Sequence, residues 1–130
     1  MTDDRIKVLV ADDDVLFVES LRELIDRQPE LEVVGEAHNG LEAIDLTDDL
    51  DPDAVVIDLH MPLLDGVTAV ARLRHDHPNL CLIVLTGDAD VQLHVAASEA
   101  GADAVLEKSE LAQGLIARLS AESARRPSSA

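Results

Sequence analysis

The strongest constraint on the fold of this chain is a set of four short, mostly apolar runs that each stop at a polar residue. The runs cover residues 6–11, 54–57, 80–85 and 104–107, and they stop at Asp12-Asp13, Asp58, Thr86 and Lys108. Short apolar runs that alternate with helical patterns are typical of buried parallel strands joined by helical crossovers. Because parallel strands end at the same edge of a sheet, we expect three carboxylates, a hydroxyl and an ammonium to meet at that edge.

The segments between these runs carry helical spacing and turn signals. Asp14 can cap a first helix, which has apolar residues at positions 17, 21, 24 and 25. A second helix is predicted after Asn39-Gly40, with Leu41, Ile44 and Leu50 as its apolar residues. Residues 32–37 are more polar and predict a strand at the edge of the sheet. Right-handed crossovers onto one sheet make this a doubly wound α/β domain.

Length and charge exclude several classes of function. A chain of 130 residues with 47% apolar content is expected to form one globular domain. It carries 27 acidic and 10 basic residues, which give a net charge of −17. A surface of that charge repels phosphate backbones and anionic membranes, so we expect no direct binding of nucleic acid or membrane by this domain.

Other features of the sequence concern location and boundaries. Cys81 is the only cysteine, which excludes an internal disulfide and fits a reducing compartment. The first residues lack the pattern of a signal peptide, and no apolar run is long enough to span a bilayer. We therefore expect a cytoplasmic domain over residues 5–122, followed by a polar tail or the beginning of a linker over residues 123–130.

The predicted cluster of carboxylates favours a divalent cation. Asp12, Asp13 and Asp58 would repel one another at one edge of the sheet unless a cation lay among them. Mg²⁺ prefers oxygen ligands and is normally bound through one or two carboxylates with water and phosphate oxygens. The charge of the ion together with that of Lys108 would balance the three carboxylates.

The same residues suit phosphoryl transfer, which needs an in-line nucleophile and charge neutralisation. The Asp58 carboxylate can attack phosphorus to form an acyl phosphate. Lys108, the Thr86 hydroxyl and the Gly87 amide can stabilise the phosphoryl oxygens. Asp12 to Asp14 and Thr86, taken one at a time, also fit a helix cap and a turn, so the prediction of a site depends on the whole set.

The motifs that contain these residues resemble the receiver domain of bacterial two-component response regulators, from about Arg5 to Leu119. The matching segments are residues 8–13, 56–62 with Asp65-Gly66, 84–87, and 101–103 leading to Lys108. Residues 31–37 with Asn39-Gly40 are most similar to receivers that precede a LuxR-type DNA-binding domain. The resemblance implies a flavodoxin-like sheet of five parallel strands in the order 2-1-3-4-5, flanked by five helices.

The resemblance also implies a role for each site residue. Asp58 would accept a phosphoryl group from a sensor histidine kinase or a phosphotransfer protein. Asp13, Asp58 and the backbone carbonyl of His60 would bind Mg²⁺ directly, and Asp12 would act mainly through a bound water. Lys108 would bridge Asp58 and the phosphoryl group. The chain would then catalyse only its own phosphorylation and dephosphorylation, and its output protein or domain is not encoded in these residues.

The resemblance also implies a conformational switch, which would involve Thr86 and the position of Val105. Thr86 would move toward the phosphoryl oxygen and so report phosphorylation to the fourth helix and fifth strand. Receivers usually carry Tyr or Phe two to three residues before the lysine, where the ring follows the threonine inward. Val105 occupies that position here, so we expect no coupled ring movement.

Two other classes of protein remain as alternatives. Asp12-Asp13-Asp14 fits the first motif of a phosphatase of haloacid-dehalogenase type, with Asp12 as nucleophile and Asp14 as acid. That interpretation leaves residues 58–62 without a role and lacks a further acidic motif after Lys108. A flavin binder is less consistent with the sequence, because Phe17 is the only aromatic residue.

Overall fold

A computed structural model describes residues 5–61, 64–87, 91–108 and 111–125. Strands and helices alternate along the chain. The strands are β1 (Ile6–Ala11), β2 (Leu31–Ala37), β3 (Ala54–Asp58), β4 (Cys81–Thr86) and β5 (Ala104–Glu107). The helices are α1 (Val15–Asp26), α2 (Gly40–Leu50), α3 (Gly66–Asp76), α4 (Val91–Ala100) and α5 (Leu111–Arg125). The strands form one parallel sheet in the order β2-β1-β3-β4-β5, which confirms the predicted fold class and the edge position of β2.

The sheet separates two apolar clusters. The first lies between the sheet and the helices α1 and α5, and the second lies between the sheet and the helices α2, α3 and α4. Alternation along a strand sends successive side chains to opposite clusters, so Val105 packs on the second and Leu106 on the first. Strands β3 and β4 are buried along their whole length, which is why their sequences read as continuous apolar runs.

Helix α1 follows the prediction, whereas α2 departs from it. Asp14 caps α1 by accepting hydrogen bonds from the Leu16 and Phe17 amides at 3.1 Å and 3.2 Å. In α2, however, Leu41 and Leu50 are exposed, and only Ile44 of the three predicted residues is buried. The buried residues of α2 are Gly40, Ala43, Ile44 and Thr47. Gly40 lies against the loop after β3, where a Cβ would be 2.6 Å from the Leu64 carbonyl oxygen.

The end of α3 is tied to the turn between α4 and β5 by the Arg74 side chain. Its guanidinium donates to the carbonyl oxygens of Gly101, Pro78 and Leu80 and to Asp103 Oδ2, at 2.8–2.9 Å. Gly101 adopts a φ of 120° as α4 ends, as expected of a glycine that terminates a helix. The Arg74 side chain therefore links α3 to the turn that leads into β5 and so toward Lys108.

Helix α5 continues to Arg125, so it passes the predicted domain boundary at residue 122. The division into a domain and a polar tail stays a prediction. Among the described residues, no helix combines the length and apolar character needed to cross a membrane.

Candidate functional site

The ends of four strands bring the predicted site residues to one edge of the sheet. Asp58 and Thr86 are the last residues of β3 and β4, while Asp12 and Lys108 directly follow β1 and β5. Because β1, β3, β4 and β5 are parallel neighbours, their carboxyl ends lie side by side. The site can be located from the sequence because each apolar run ends at the polar residue that the strand brings to this edge.

Three carboxylates meet at this edge. One oxygen each of Asp12, Asp13 and Asp58 can be chosen so that all lie within 4.8 Å of one another. Asp12 is fully buried, Asp58 is 4% exposed, and Asp13 is exposed to solvent. The cluster is therefore open on the side of Asp13 and closed on the side of Asp12.

Lys108 reaches two of these carboxylates. Its Nζ lies 2.9 Å from Asp12 Oδ2 and 3.5 Å from Asp58 Oδ2. Burial lowers the pKa of Lys108, but its contacts with Asp12 and Asp58 outweigh that effect and leave the pKa raised. The side chain is therefore an ammonium that supplies one positive charge to the cluster.

The charge on Asp58 remains only partly compensated. Burial and the neighbouring Asp12 carboxylate raise the pKa of Asp58 against the opposing effects of the His60 amide and Lys108. The His60 amide donates to Asp58 Oδ1 at 3.2 Å. A carboxylate whose environment disfavours its charge is stabilised by a further cation.

Asp12 provides a direct indication that the cluster suits a cation. Its Oδ1 accepts a hydrogen bond from the Asp14 amide at 2.9 Å. Its buried Oδ2 lies 2.9 Å from the Lys108 ammonium, and no second donor to it is found in the described part of the chain. The three carboxylates thus share one ammonium and offer an all-oxygen donor set, which fits a hard divalent cation such as Mg²⁺ or the water molecules around one.

The loop after β3 begins with tight backbone packing. A Cβ at Gly66 would lie 2.5 Å from Leu59 Cα and 2.9 Å from the carbonyl oxygens of Asp58 and Leu59. The Gly66 amide donates to the Leu59 carbonyl oxygen at 3.1 Å. Glycine at the first position of α3 thus allows the chain to pass directly over the end of β3, against the backbone of Asp58 and Leu59.

Thr86 and Gly87 lie at the adjacent strand end. Thr86 is fully buried and pairs with Glu107 of β5, the residue before Lys108. A Cβ at Gly87 would meet nothing within 4 Å. Val105 pairs with Val84 and packs on the second cluster, so the strand before Lys108 carries an aliphatic side chain at the predicted switch position.

The sequence did not predict the contact of Phe17 with Lys108. Lys108 Nζ lies 4.2 Å from the centroid of the Phe17 ring. Helical spacing identified Phe17 only as a residue of the apolar face of α1. Its status as the only aromatic residue in the chain was the one available signal.

The structure argues against the phosphatase alternative. Asp14, which would serve as the acid in that interpretation, is the N-cap of α1 and accepts two backbone hydrogen bonds. Asp12, which would be the nucleophile, is buried and contacts Lys108. After β5 the described chain contains only α5, so no further strand end is present there to carry another acidic motif.

Comparison with known proteins agrees with the geometry. Residues 8–120 match the response regulator receiver domain family. The chain is 39% identical over 109 residues to protein-glutamate methylesterase/protein-glutamine glutaminase 4 of Myxococcus xanthus, covering 83% of this chain and 31% of that protein.

Solved structures extend the comparison. The response regulator domain of Thermotoga maritima CheB superposes with a TM-score of 0.85 and 28% identity, over 95% of this chain and 99% of that one. A two-component response regulator of the LuxR family from Aurantimonas sp. SI85-9A1 superposes with a TM-score of 0.82 and 30% identity, over 90% and 86%. The predicted likeness to LuxR-family receivers is therefore found, together with an equal likeness to the CheB receiver.

The curated relatives are longer proteins. This chain spans between about a fifth and a half of their length. The activities named for those proteins therefore do not transfer to it.

Proposed function

The chain belongs to the response regulator receiver domain family, and from that premise we propose that Asp58 is its phosphoacceptor. The chain is thus a receiver of two-component phosphorelay signalling. In the proposed assignment, Asp58 accepts the phosphoryl group, Lys108 binds its oxygens, and Asp13 and Asp58 provide carboxylate ligands for Mg²⁺. The observation that carries this assignment is the contact of Lys108 with both Asp12 and Asp58 at the carboxyl edge of the sheet.

The reaction makes limited demands on the protein. A bond forms between an Asp58 oxygen and phosphorus, and the bond from phosphorus to the imidazole nitrogen of the donor histidine breaks. Lys108 can follow the developing charge from Asp58 to the phosphoryl oxygens, because its Nζ already lies within 3.5 Å of an Asp58 oxygen. Burial and the Asp12 carboxylate raise the pKa of Asp58, and the acyl phosphate would carry more negative charge than the carboxylate, so the phosphorylated site depends on Lys108 and a bound cation for neutralisation.

The fit of the acidic cluster to Mg²⁺ supports a specific set of ligands. Asp13 and Asp58 would bind the ion directly, the His60 carbonyl would complete the protein ligands, and Asp12 would act through water. When bound, the ion supplies positive charge for the phosphoryl oxygens. Asp13 is exposed, so an ion bound to it could exchange with ions in the solvent. Asp12 is buried and would contact the ion through water.

The proposed switch uses Thr86 without a partner ring. Its position at the end of β4, beside β5, would let its hydroxyl reach a phosphoryl oxygen and alter the surface of α4 and β5. Since Val105 has no ring to rotate, the change would pass through the backbone of the β4–α4 connection. Paired structures with and without a phosphoryl mimic test this step, and unchanged positions from Thr86 to Lys108 would contradict it.

The proposed partners are a sensor histidine kinase or a phosphotransfer protein on the input side and a separate output protein or domain. The proposal includes a cytoplasmic location, where the ATP that supplies such kinases is found. It also holds that the chain acts on no substrate other than its phosphoryl donors.

Intact mass spectrometry after incubation with acetyl phosphate tests the proposal. We expect one phosphoryl adduct that requires Mg²⁺ and is absent in Asp58→Asn. Asp49→Asn, which removes an exposed carboxylate of α2, should label like the wild-type chain. A labelled Asp58→Asn protein would contradict the assignment, and release of phosphate over many turnovers would contradict the proposed self-limited reaction.

A further inference from the structure

The geometry points to Phe17 as a positioning residue that holds the Lys108 ammonium over the phosphoacceptor site. This inference rests on the proposed function, because it assigns Phe17 a role in the work of Lys108. It concerns a side chain that the sequence had indicated only as part of the core. The observation behind it is the distance of 4.2 Å between Lys108 Nζ and the centroid of the Phe17 ring.

The contact is part of a closed circuit of four residues. The Asp14 amide donates to Asp12 Oδ1, and the Phe17 amide donates to Asp14 Oδ1. The Phe17 ring then faces Lys108, whose ammonium returns to Asp12 Oδ2 at 2.9 Å. The cap of α1 thus fixes the backbone of the ring relative to the same carboxylate that the ammonium contacts.

A ring face suits this task for a chemical reason. It attracts a cation through its quadrupole, within about 6 Å of the centroid. It accepts only weak hydrogen bonds, so it does not compete strongly for the three N–H donors of the ammonium. A third carboxylate in this place would hold Lys108 too, but it would add repulsion against the phosphoryl group. Phe17 can therefore restrain Lys108 while leaving its donors available to the incoming oxygens.

The need for restraint follows from the charges at the site. The Lys108 side chain is 26% exposed and ends at two carboxylates. A divalent cation among Asp12, Asp13 and Asp58 would weaken the attraction of those carboxylates for the ammonium. The attraction to the ring does not depend on the carboxylate charge, so it keeps Lys108 in place when the cluster is neutralised.

Nuclear magnetic resonance can detect the contact directly. The chain contains only two lysines, Lys7 and Lys108, so labelling with 13C-lysine gives two ε-CH₂ signals. We expect the Lys108 signal to be shifted upfield by the ring current and the exposed Lys7 to serve as reference. Phe17→Leu should abolish the upfield shift and Phe17→Tyr should keep it. A Lys108 shift that is the same in wild type and Phe17→Leu would overturn the inference.

Kinetics then tests the positioning role. Phe17→Leu is expected to slow Mg²⁺-dependent labelling of Asp58 by about two- to fivefold, as expected for loss of one partly exposed cation–π contact. Phe17→Tyr should restore the rate, and Phe17→Leu should have no further effect on a Lys108→Ala background. Leu24→Ala controls for packing, because Leu24 is the other partly buried α1 residue on the same cluster.

The outcomes of these experiments distinguish the positioning role of Phe17 from the proposed function of the chain. Equal rates for wild type and Phe17→Leu, or an equal slowing with and without Lys108, would overturn the positioning role and leave the proposed function intact. A wild-type chain that forms no adduct would contradict the proposed function instead. In that case the ring-current measurement alone would decide whether Phe17 holds Lys108.

Discussion

Asp58 lies in an environment that disfavours the ionised form of its carboxyl group. Burial and the Asp12 carboxylate raise its pKa, and the contacts with His60 and Lys108 only partly compensate. Such unfavourable placement is common where a residue is kept for its chemistry. The raised pKa thus marks a carboxylate whose ionisation is disfavoured unless a further cation is present.

Replacing Asp58 by Asn should therefore stabilise the metal-free chain at neutral pH. A raised pKa means that the folded state holds the Asp58 proton more tightly than the unfolded state does. The Asp58 contribution to stability is full below the unfolded pKa of about 3.9 and is lost as pH rises through the folded pKa. We expect Asp58→Asn to gain about 1–2 kcal/mol at pH 7 in EDTA, measured by urea unfolding. The gain should shrink toward pH 4, and a variant less stable than wild type at pH 7 would contradict the sign.

Single residues also show what the sequence could and could not predict. Asp12, Asp58, Thr86 and Lys108 were predictable because the end of a buried parallel strand is visible as the end of an apolar run. The contact of Phe17 with Lys108 was not, because helical spacing identifies a face but not the atom that meets it. It depends on the Lys108 side chain reaching from the end of β5 toward α1, which packs on β1 and β2, and no local pattern encodes that.

At the scale of elements, the predictions are confirmed where the residues of a segment allow only one interpretation. The order of strands and helices and the Asp14 cap were predicted, and both are observed. The apolar face of α2 was partly wrong, since Leu41 and Leu50 are exposed. The buried face instead consists of Gly40, Ala43, Ile44 and Thr47, a set that the spacing of the leucines does not identify.

The start of α3 should tolerate no side chain at its first residue. An Ala at Gly66 would place its Cβ against backbone atoms of Asp58 and Leu59, which cannot move without shifting the site. We expect Gly66→Ala to lose about 2 kcal/mol or more of stability and most of its labelling by acetyl phosphate. Gly87→Ala is the matched control for stability, because its Cβ would meet nothing within 4 Å. Similar losses of stability in both variants would show that steric contact at Gly66 is not the cause.

The link between α3 and the α4–β5 turn should depend on Arg74. Its removal would leave the part-buried Leu80 carbonyl oxygen without that donor and break the ion pair with Asp103. We expect Arg74→Ala to cost about 2–3 kcal/mol in urea unfolding. Arg72→Ala removes an exposed i,i+4 pair with Asp76 and should cost much less stability than Arg74→Ala. Equal costs would mean that the guanidinium of Arg74 contributes only as a surface charge.

For the whole molecule, the net charge of −17 opposes compaction. Part of this repulsion is diffuse and is screened by any salt, with a Debye length near 10 Å at about 0.1 M ionic strength. Another part is concentrated where Asp12, Asp13 and Asp58 meet. These two components should respond differently to monovalent and divalent cations.

Thermal unfolding in MgCl₂ and in NaCl of equal ionic strength distinguishes the diffuse repulsion from the repulsion at the carboxylate cluster. Both salts should raise Tm by screening, and Mg²⁺ should add about 1 kcal/mol at a few times its Kd, because it binds the folded cluster. Asp13→Asn should remove this addition while keeping the response to NaCl, whereas Asp49→Asn should keep both. An equal response of wild type to the two salts would argue against a specific cation site.

The separation of the core by the sheet also bears on how such a domain can evolve. Each apolar cluster packs against its own set of helices, so substitutions in one require few compensating changes in the other. The carboxyl edge is the exception, because the strand ends that carry its residues are held by both clusters at once. Descendants of one ancestral domain can therefore diverge on either outer face, acquiring new partners, while they inherit the same reaction.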